Sequence, residues 1–91
     1  MGQLYSVDVF YSGKVQGVGF RYQTVQVARE FVVTGEVKNL EDGRVFLSAE
    51  GAEADVEGFR KELEARLHNF IRNSEVSSDY RQPKYTTFAI T

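Results

Sequence analysis

Apolar and polar residues alternate at the start of the chain with the period of a half-buried strand. Between Leu4 and Tyr11, the large apolar residues that share one face are Tyr5, Val7, Val9 and Tyr11. Ser6 and Asp8 fall on the opposite face, as expected where one side of a strand meets water. The pattern predicts a first strand that contributes alternate residues to a core.

Two longer segments carry apolar residues at helical spacing. From about Phe20 to Val32, the apolar stripe consists of Tyr22, Val25, Ala28 and Val32. From Ala54 to Phe70, the stripe is more regular and consists of Val56, Phe59, Leu63, Leu67 and Phe70. Steps of three and four residues place these side chains on one side of a helix. We therefore expect two amphipathic helices that pack on a sheet.

The segment between the two predicted helices favours a hairpin. Gly35 precedes a short strand, residues 36–40, and the sequence Glu41-Asp42-Gly43 has the composition of a turn. A second strand is predicted over residues 44–50, and the tail from Ser74 to Thr91 should hold one or two more.

The predicted elements follow one another in the order β-α-β-β-α-β. This order is typical of the ferredoxin-like α+β sandwich, in which two helices cover one face of a mostly antiparallel sheet. The chain has 91 residues, too few for two ordinary cores, so we expect residues 1–91 to form one domain. The fold hosts many unrelated activities, so function must be argued from a site.

Composition removes several classes of function. The chain has no cysteine, which excludes a disulfide framework and a thiolate nucleophile. His68 has no second histidine or cysteine with which to share a metal, and we expect neither a metal nor another cofactor. The formal net charge of −2 opposes a nucleic-acid partner. No apolar run approaches the ~20 residues of a membrane span, so we expect a cytoplasmic protein, as a monomer.

A glycine-rich stretch between the first strand and the first helix is the candidate for chemistry. Residues 13–19 contain three glycines, which permit positive φ and let the backbone turn several N–H groups toward one concavity. The free N–H groups and the dipole at the following helix N-terminus favour the same anion. Arg21 falls in the first helical turn, and its side chain should lean back over this concavity. Its planar guanidinium suits a phosphoryl group better than a lysine does.

Asn39 should approach this stretch from the sheet. In a split β-α-β unit the first two strands run parallel, so their carboxyl ends meet at the same edge. An asparagine amide both donates and accepts hydrogen bonds, which suits a group that orients water. Lys14 and Lys38 should add positive potential nearby.

Three segments resemble the signature of the acylphosphatase family: residues 13–21, residues 35–39 and Asp42-Gly43. The resemblance spans residue 5 to about residue 60. It implies hydrolysis of the carboxyl-phosphate bond of a small acyl phosphate by metal-free in-line attack of water. It also implies that Arg21 is the essential binding arginine and Asn39 the water-orienting asparagine. The phosphate cradle, which we define as residues 16–21, would consist of Gln16, Gly17, Val18, Gly19, Phe20 and Arg21.

Two other interpretations belong to different classes of protein. The same cradle could hold a phosphate or carboxylate without turning it over, and activity on an acyl phosphate separates that binding module from an enzyme. An RNA-recognition domain shares the order of elements, but Arg44-Val45-Phe46-Leu47-Ser48 does not match its aromatic motif. Taken alone, Asn39 would be interpreted as a turn residue.

Overall fold

The computed structural model describes residues 2–91, and Met1, at which the predicted domain starts, lies outside this range. In chain order the elements are β1 (Leu4–Gly13), α1 (Phe20–Ala28), β2 (Val33–Asn39), β3 (Val45–Gly51), α2 (Glu53–Arg66), β4 (Ile71–Arg81) and β5 (Phe88–Ile90). Neither helix of the described residues has the length and apolar character needed to cross a membrane.

The five strands form one sheet in the order β4-β1-β3-β2-β5. β3 lies between β1 and β2 and is antiparallel to both, so β1 and β2 are parallel and end at the same edge. β5 adds to the outer side of β2 as a parallel strand. The ferredoxin-like α+β prediction is confirmed, with β5 as a fifth strand beyond the β-α-β-β-α-β order.

The core lies between the helices and one face of the sheet. Alternate residues of β1, including the buried Val7, Val9 and Tyr11, meet the stripe of α2. On α2 the fully buried residues are Val56, Phe59 and Leu63, as the period predicted. The helix ends at Arg66 rather than at Phe70, and residues 67–70 form a turn in which the N–H groups of Phe70 and Ile71 both donate to the Leu67 carbonyl.

The predicted stripe of α1 is correct at Ala28, which is buried, and wrong at Tyr22 and Val32. Tyr22 and Val32 are 63% and 79% exposed, and the helix ends at Ala28, before Val32. The buried residues are Phe20, Thr24, Val27 and Ala28. Thr24 can face the core because its hydroxyl donates to the Phe20 carbonyl at 2.8 Å, which satisfies its polar group within the helix.

Two strand boundaries also differ from the sequence prediction. β2 begins at Val33, three residues early, because Val33 and Thr34 already pair with β3. Gly35 therefore lies inside β2, where a Cβ atom would collide with the backbone oxygen of Ser48. β4 begins at Ile71 rather than Ser74 and pairs with β1 along its length.

Residues 82–87, which we call the crossing segment, connect β4 at one edge of the sheet to β5 at the other. Buried Glu50 on β3 accepts hydrogen bonds from the backbone N–H groups of Lys84 and Tyr85 at 2.9–3.0 Å. The Tyr85 hydroxyl donates to Glu36 on β2 at 2.6 Å. Glu50 and Glu36, on the face of the sheet opposite the helices, thus bind the segment that leads into β5.

Candidate active site

The loop between β1 and α1 is shaped by two glycines in the left-handed region. Gly17 has φ of 78° and Gly19 has φ of 81°. A Cβ atom at either position would meet nothing within 4 Å, so the backbone angle, rather than lack of space, favours glycine there. Gly19 is the residue that caps α1, and it has no side chain to occupy the helix N-terminus. The end of the helix is therefore open to a ligand.

The amides of this loop and of the first helical turn are available as donors. The first intrahelical hydrogen bond of α1 runs from the Gln23 N–H to the Gly19 carbonyl at 3.0 Å. The preceding amides have no intrahelical acceptor, as at any helix start. Within residues 2–91, no acceptor is found for the N–H groups of residues 15–22. Such a run of free donors at a helix N-terminus is suited to an anion.

One cavity of about 270 Å³ collects the candidate residues from three parts of the chain. It is bounded by the loop, the first turn of α1 and the ends of β2 and β5. Its lining residues are Val15, Gly17, Gly19, Phe20, Arg21, Tyr22, Asn39 and Ile90. The sheet topology therefore brings Arg21 and Asn39 to the same cavity.

Arg21 is the cation of this cavity. Among residues 2–91 no carboxylate forms an ion pair with it, whereas Arg44, Arg60, Arg66 and Arg81 all pair with acidic side chains. Its guanidinium donors are thus not engaged by another side chain. An unpaired guanidinium that lines the same cavity as a row of free amides is suited to a phosphoryl dianion.

Asn39 is the last residue of β2 and pairs with Val45 at the start of β3. Its Oδ1 atom is buried and accepts no hydrogen bond from the part of the chain that the structure describes. A buried carbonyl oxygen without a donor costs about 1–3 kcal/mol. A bound molecule that offers an O–H or N–H group would remove this cost, so the orphaned oxygen is consistent with a binding role.

Comparison with known proteins gives the family. The family model for acylphosphatase matches residues 7–90. The chain belongs to the acylphosphatase family. A curated acylphosphatase from Oceanobacillus iheyensis is 37% identical over 86 residues, which cover 92% of this chain and 94% of that protein. The predicted family is therefore confirmed, and the enzyme class of the family is acylphosphatase.

Two further comparisons define the extent of the likeness. An acylphosphatase from Archaeoglobus fulgidus is 52% identical over 54 residues, which cover 59% of this chain and 61% of that protein, less than two thirds of its length. The crystal structure of an acylphosphatase from Bacillus subtilis superposes with a TM-score of 0.85 at 29% identity, covering 96% of this chain and 98% of the other. The shared fold thus extends through β4 and β5, beyond the signature.

Within this family fold, the side chain of Gln16 has a position that the sequence did not reveal. Its amide nitrogen donates to the carbonyl oxygens of Leu40 and Arg44, at 2.8 and 2.9 Å. Those two residues close the β2–β3 turn through the bond from the Leu40 N–H to the Arg44 carbonyl. Gln16 therefore connects the cradle to the turn that follows Asn39. Only its backbone remains free for an anion, as the cradle prediction requires.

The β2–β3 turn has the chemistry expected of a turn. Gly43 has φ of 96°. The hydrogen bond from the Arg44 backbone N–H to Asp42, 3.1 Å long, holds the pKa of the Asp42 carboxyl below its usual value. The carboxylate is thus engaged in shaping the turn and does not line the cavity.

The remaining predicted residues lie near the cavity without lining it. Val18 is half-buried and packs against the core. Lys38 lies on the opposite face of β2 from Asn39, because strand side chains alternate, and its ammonium is 5.6 Å from the Phe46 ring centre. Lys14 lines a separate depression with residues 69–72. The positive charge at the cavity itself therefore comes from Arg21.

Sequence reasoning missed three lining residues, Val15, Tyr22 and Ile90. Val15 lies one position before the predicted cradle. Tyr22 was assigned to the buried stripe of α1, and that error in helical phase concealed its exposure at the cavity. Ile90 gave no local signal, because its position depends on β5 crossing the sheet to reach β2.

Proposed function

We propose that this chain hydrolyses acyl phosphates to a carboxylate and inorganic phosphate, with Arg21 and the cradle amides binding the phosphoryl group and Asn39 orienting water. One observation carries the proposal: a single cavity unites an unpaired arginine, a row of free amides and an asparagine with an unpartnered buried oxygen. Membership of the acylphosphatase family supports the same substrate class.

Binding of the phosphoryl group would use fixed donors. The free amides of the cradle and the guanidinium of Arg21 would each donate to non-bridging phosphoryl oxygens. These donors are held by the loop and the helix, so little reorganisation accompanies the growth of negative charge in the transition state. The positive end of the α1 dipole acts in the same direction.

Asn39 would fix the direction of attack. Its amide oxygen can accept a hydrogen bond from water while its NH₂ group donates to a phosphoryl oxygen or to the same water. Holding the nucleophile in line with the bond that breaks removes much of the entropic cost of a bimolecular reaction. The amide does so without changing its protonation state.

The chemistry needs no strong acid because the leaving group is a weak base. The water oxygen forms a bond to phosphorus as the bond between phosphorus and the carboxyl oxygen breaks, and the electron pair leaves on the carboxylate. The proton of the water passes to a phosphoryl oxygen, so the products are a carboxylate and inorganic phosphate. No covalent enzyme intermediate is required, and we expect full activity in the presence of EDTA.

The proposal extends to residues 1–91 as one cytoplasmic, monomeric domain. The absence of cysteine is compatible with a reducing compartment. Both proposed functional side chains, Arg21 and Asn39, belong to one chain, so the proposed mechanism does not require a second copy. Size-exclusion chromatography with light scattering tests the assembly state.

The test of the two roles is turnover of benzoyl phosphate by Arg21→Ala, Arg21→Lys and Asn39→Ala. We expect losses of at least 100-fold in kcat/KM for each, since a lost hydrogen bond to the developing negative charge of a transition state costs about 2.7–4 kcal/mol. Arg21→Lys should also fail, because a point charge does not reproduce the fork. The matched control is Arg29→Ala, which removes an exposed cation at the end of α1 and should retain wild-type turnover.

Hydrolysis in ¹⁸O-labelled water then tests the direction of attack. Label in the phosphate product is expected, since the P–O bond breaks, and label in the carboxylate would contradict in-line attack at phosphorus. A wild-type protein that binds phosphate yet leaves benzoyl phosphate at the uncatalysed rate would instead be the anion-binding module. Wild-type turnover by Asn39→Ala would remove the water-orienting role.

A further inference from the structure

The mouth of the cavity has an apolar side that phosphate binding does not use. Five large hydrophobic side chains are exposed among residues 2–91: Tyr22, Val32, Val76, Tyr80 and Ile90. Two of these five, Tyr22 and Ile90, line the cavity that contains Arg21 and Asn39. We call this pair the acyl wall. Its two side chains remain 63% and 47% exposed at the rim of a polar site.

The two residues reach the rim from different elements. Tyr22 follows Arg21 on α1, and it points outward because Phe20 and Thr24 take the inward positions of that turn. Ile90 pairs with Val37 in the parallel β2–β5 ladder, two residues before Asn39. Val37 is fully buried, whereas Ile90 at the outer strand is left half open. The acyl wall thus lies on the same side of the sheet as Asn39.

We propose that Tyr22 and Ile90 form the binding surface for the acyl group and make this enzyme select apolar acyl phosphates over small or polar ones. The inference rests on the proposed hydrolysis of acyl phosphates. A substrate whose phosphoryl group lies in the cradle must direct its acyl group toward the mouth, where solvent-facing apolar surface is available. Covering such surface with an apolar ligand is favourable in proportion to the area removed from water.

The lining of the cavity argues against a charged acyl group. No acidic residue lines it, and the only cationic lining residue is Arg21, which the phosphoryl group would engage. A carboxylate or ammonium on the acyl group would lose water without gaining a partner of opposite charge. The volume of about 270 Å³ is near the lower limit for small-ligand pockets. This size suits one aromatic ring or a short branched chain.

The experiment compares two substrates in the intact protein. The quantity measured is kcat/KM for benzoyl phosphate divided by kcat/KM for acetyl phosphate. In the wild type we expect this ratio to exceed one. In Tyr22→Ser and Ile90→Ser we expect this ratio to fall roughly three- to tenfold. The expected change is no larger than the roughly tenfold discrimination that a single methylene group provides at the least in a closed apolar pocket, because the acyl wall is half open to solvent. Tyr22→Phe keeps the ring and should keep the ratio within twofold of wild type.

Matched controls use exposed apolar residues that lie elsewhere. Val76 on β4 is 44% exposed, close to the value for Ile90, and Val32 after α1 is 79% exposed. Neither lines the cavity. Val76→Ser and Val32→Ser should both leave the substrate ratio unchanged. A change in these controls equal to that in Ile90→Ser would overturn the proposal, because it would make the effect a general one of surface hydrophobicity.

Inhibition by inorganic phosphate separates damage to the cradle from loss of the acyl wall. Phosphate has no acyl group, so its Ki should change far less than the substrate ratio in Tyr22→Ser and Ile90→Ser. A ratio that stays within twofold of wild type in the double variant, or a Ki that rises in parallel with the loss, would overturn the inference. The proposed function has a different signature of failure, since the wild type would then hydrolyse neither substrate.

Discussion

At position 16, one side chain connects two parts of the candidate site that come from different elements. The Gln16 amide nitrogen uses both of its hydrogens, one on the Leu40 carbonyl and one on the Arg44 carbonyl. The backbone of the same residue belongs to the cradle. A displacement of the turn after Asn39 would therefore also displace the cradle, and we infer that Gln16 keeps the two segments in register.

Replacing Gln16 should disturb the position of Asn39 relative to the cradle more than it weakens substrate binding. Gln16→Ala removes one of the two hydrogen bonds that each carbonyl accepts, since Leu40 keeps the bond from the Gly43 N–H and Arg44 keeps the bond from the Leu40 N–H. We expect a loss of about 0.5–1.5 kcal/mol in unfolding free energy. Gln16→Glu should be worse, because a carboxylate would face two carbonyl oxygens. We expect kcat for benzoyl phosphate to fall by a larger factor than KM rises. Urea unfolding measures the change in the free energy of unfolding of each variant.

The control for position 16 is Gln26→Ala, which removes the same side chain from α1, where that side chain makes no hydrogen bond within residues 2–91. It should leave both kcat and stability near wild type. If Gln16→Ala lost stability with kcat and KM intact, Gln16 would be purely structural.

Individual residues show which parts of the candidate site could be predicted from the sequence. Arg21 and Asn39 were predicted because a local motif names them and a parallel pair of strands brings them together. The side-chain role of Gln16 was missed, since its acceptors are backbone carbonyls 24 and 28 residues away, which carry no sequence signal.

At the scale of elements, α2 is joined to the sheet by tyrosine–glutamate hydrogen bonds as well as by its apolar stripe. Tyr11 donates to Glu64 at 2.8 Å, Tyr5 to Glu57 at 2.7 Å and Tyr80 to Glu53 at 2.9 Å. Burial and the nearby Glu64 carboxylate raise the pKa of the Tyr11 hydroxyl, so it remains a donor at any working pH. The three tyrosines differ mainly in their exposure.

That difference gives a prediction for stability. Tyr11→Phe removes a hydroxyl that is fully buried with its ring, and we expect a loss of about 1.5–3 kcal/mol, as for bonds to charged groups. Tyr80→Phe removes the same type of bond from a tyrosine that is 52% exposed, and we expect a much smaller loss because water replaces the partner. Urea unfolding monitored by circular dichroism compares the two. Equal losses would refute the role of burial.

The helices also show what their periodicity could and could not predict. The stripe of α2 was correct for Val56, Phe59 and Leu63, which repeat every three or four residues while the other faces are polar, but Leu67 and Phe70 lie beyond the end of the helix. In α1 the polar Thr24 occupies a core position, which its bond to the Phe20 carbonyl makes possible, and Tyr22 points outward. A pattern that counts only apolar residues therefore assigned α1 the wrong phase.

At the scale of the whole molecule, Glu36 on β2 binds both the crossing segment and Thr91, which follows β5. Glu36 accepts hydrogen bonds from the Tyr85 hydroxyl at 2.6 Å and the Thr91 hydroxyl at 2.7 Å. These bonds lower the pKa of the Glu36 carboxyl below its usual value. Burial and the bond to Glu36 raise the pKa of Tyr85 to about 12.

The two shifts predict how stability depends on pH. Because the pKa of Glu36 is lowered in the folded state, the contribution of Glu36 to the free energy of unfolding is fully present above about pH 4.5 and is lost as the pH falls. The contribution of Tyr85 is present below pH 10 and is lost as the pH rises through about 12. Glu36→Gln should therefore destabilise the protein at pH 7, by at most about 1 kcal/mol since the group is partly solvated, and by much less at pH 3.

Urea unfolding of wild type and Glu36→Gln at pH 3, 5 and 7 measures this difference. Tyr85→Phe provides the matched variant for the other partner of the bond, and its destabilisation should shrink toward pH 12. A Glu36→Gln deficit that stays constant between pH 3 and 7 would contradict the assignment of the acid-sensitive term to Glu36.

The position of β5 has a consequence for the order in which the enzyme is completed. β2 pairs with β3 across a short turn, whereas Gly35 pairs with Phe88 across more than half of the chain. Closing so long a loop has a large entropic cost, and a strand of only three residues makes few contacts to offset that cost. We therefore expect β5 to dock last and to fray first. Brief detachment of this strand would remove Ile90 from the cavity mouth while Arg21 and the cradle stay in place. With the roles proposed above, such a state would still bind phosphate but would no longer distinguish among acyl groups.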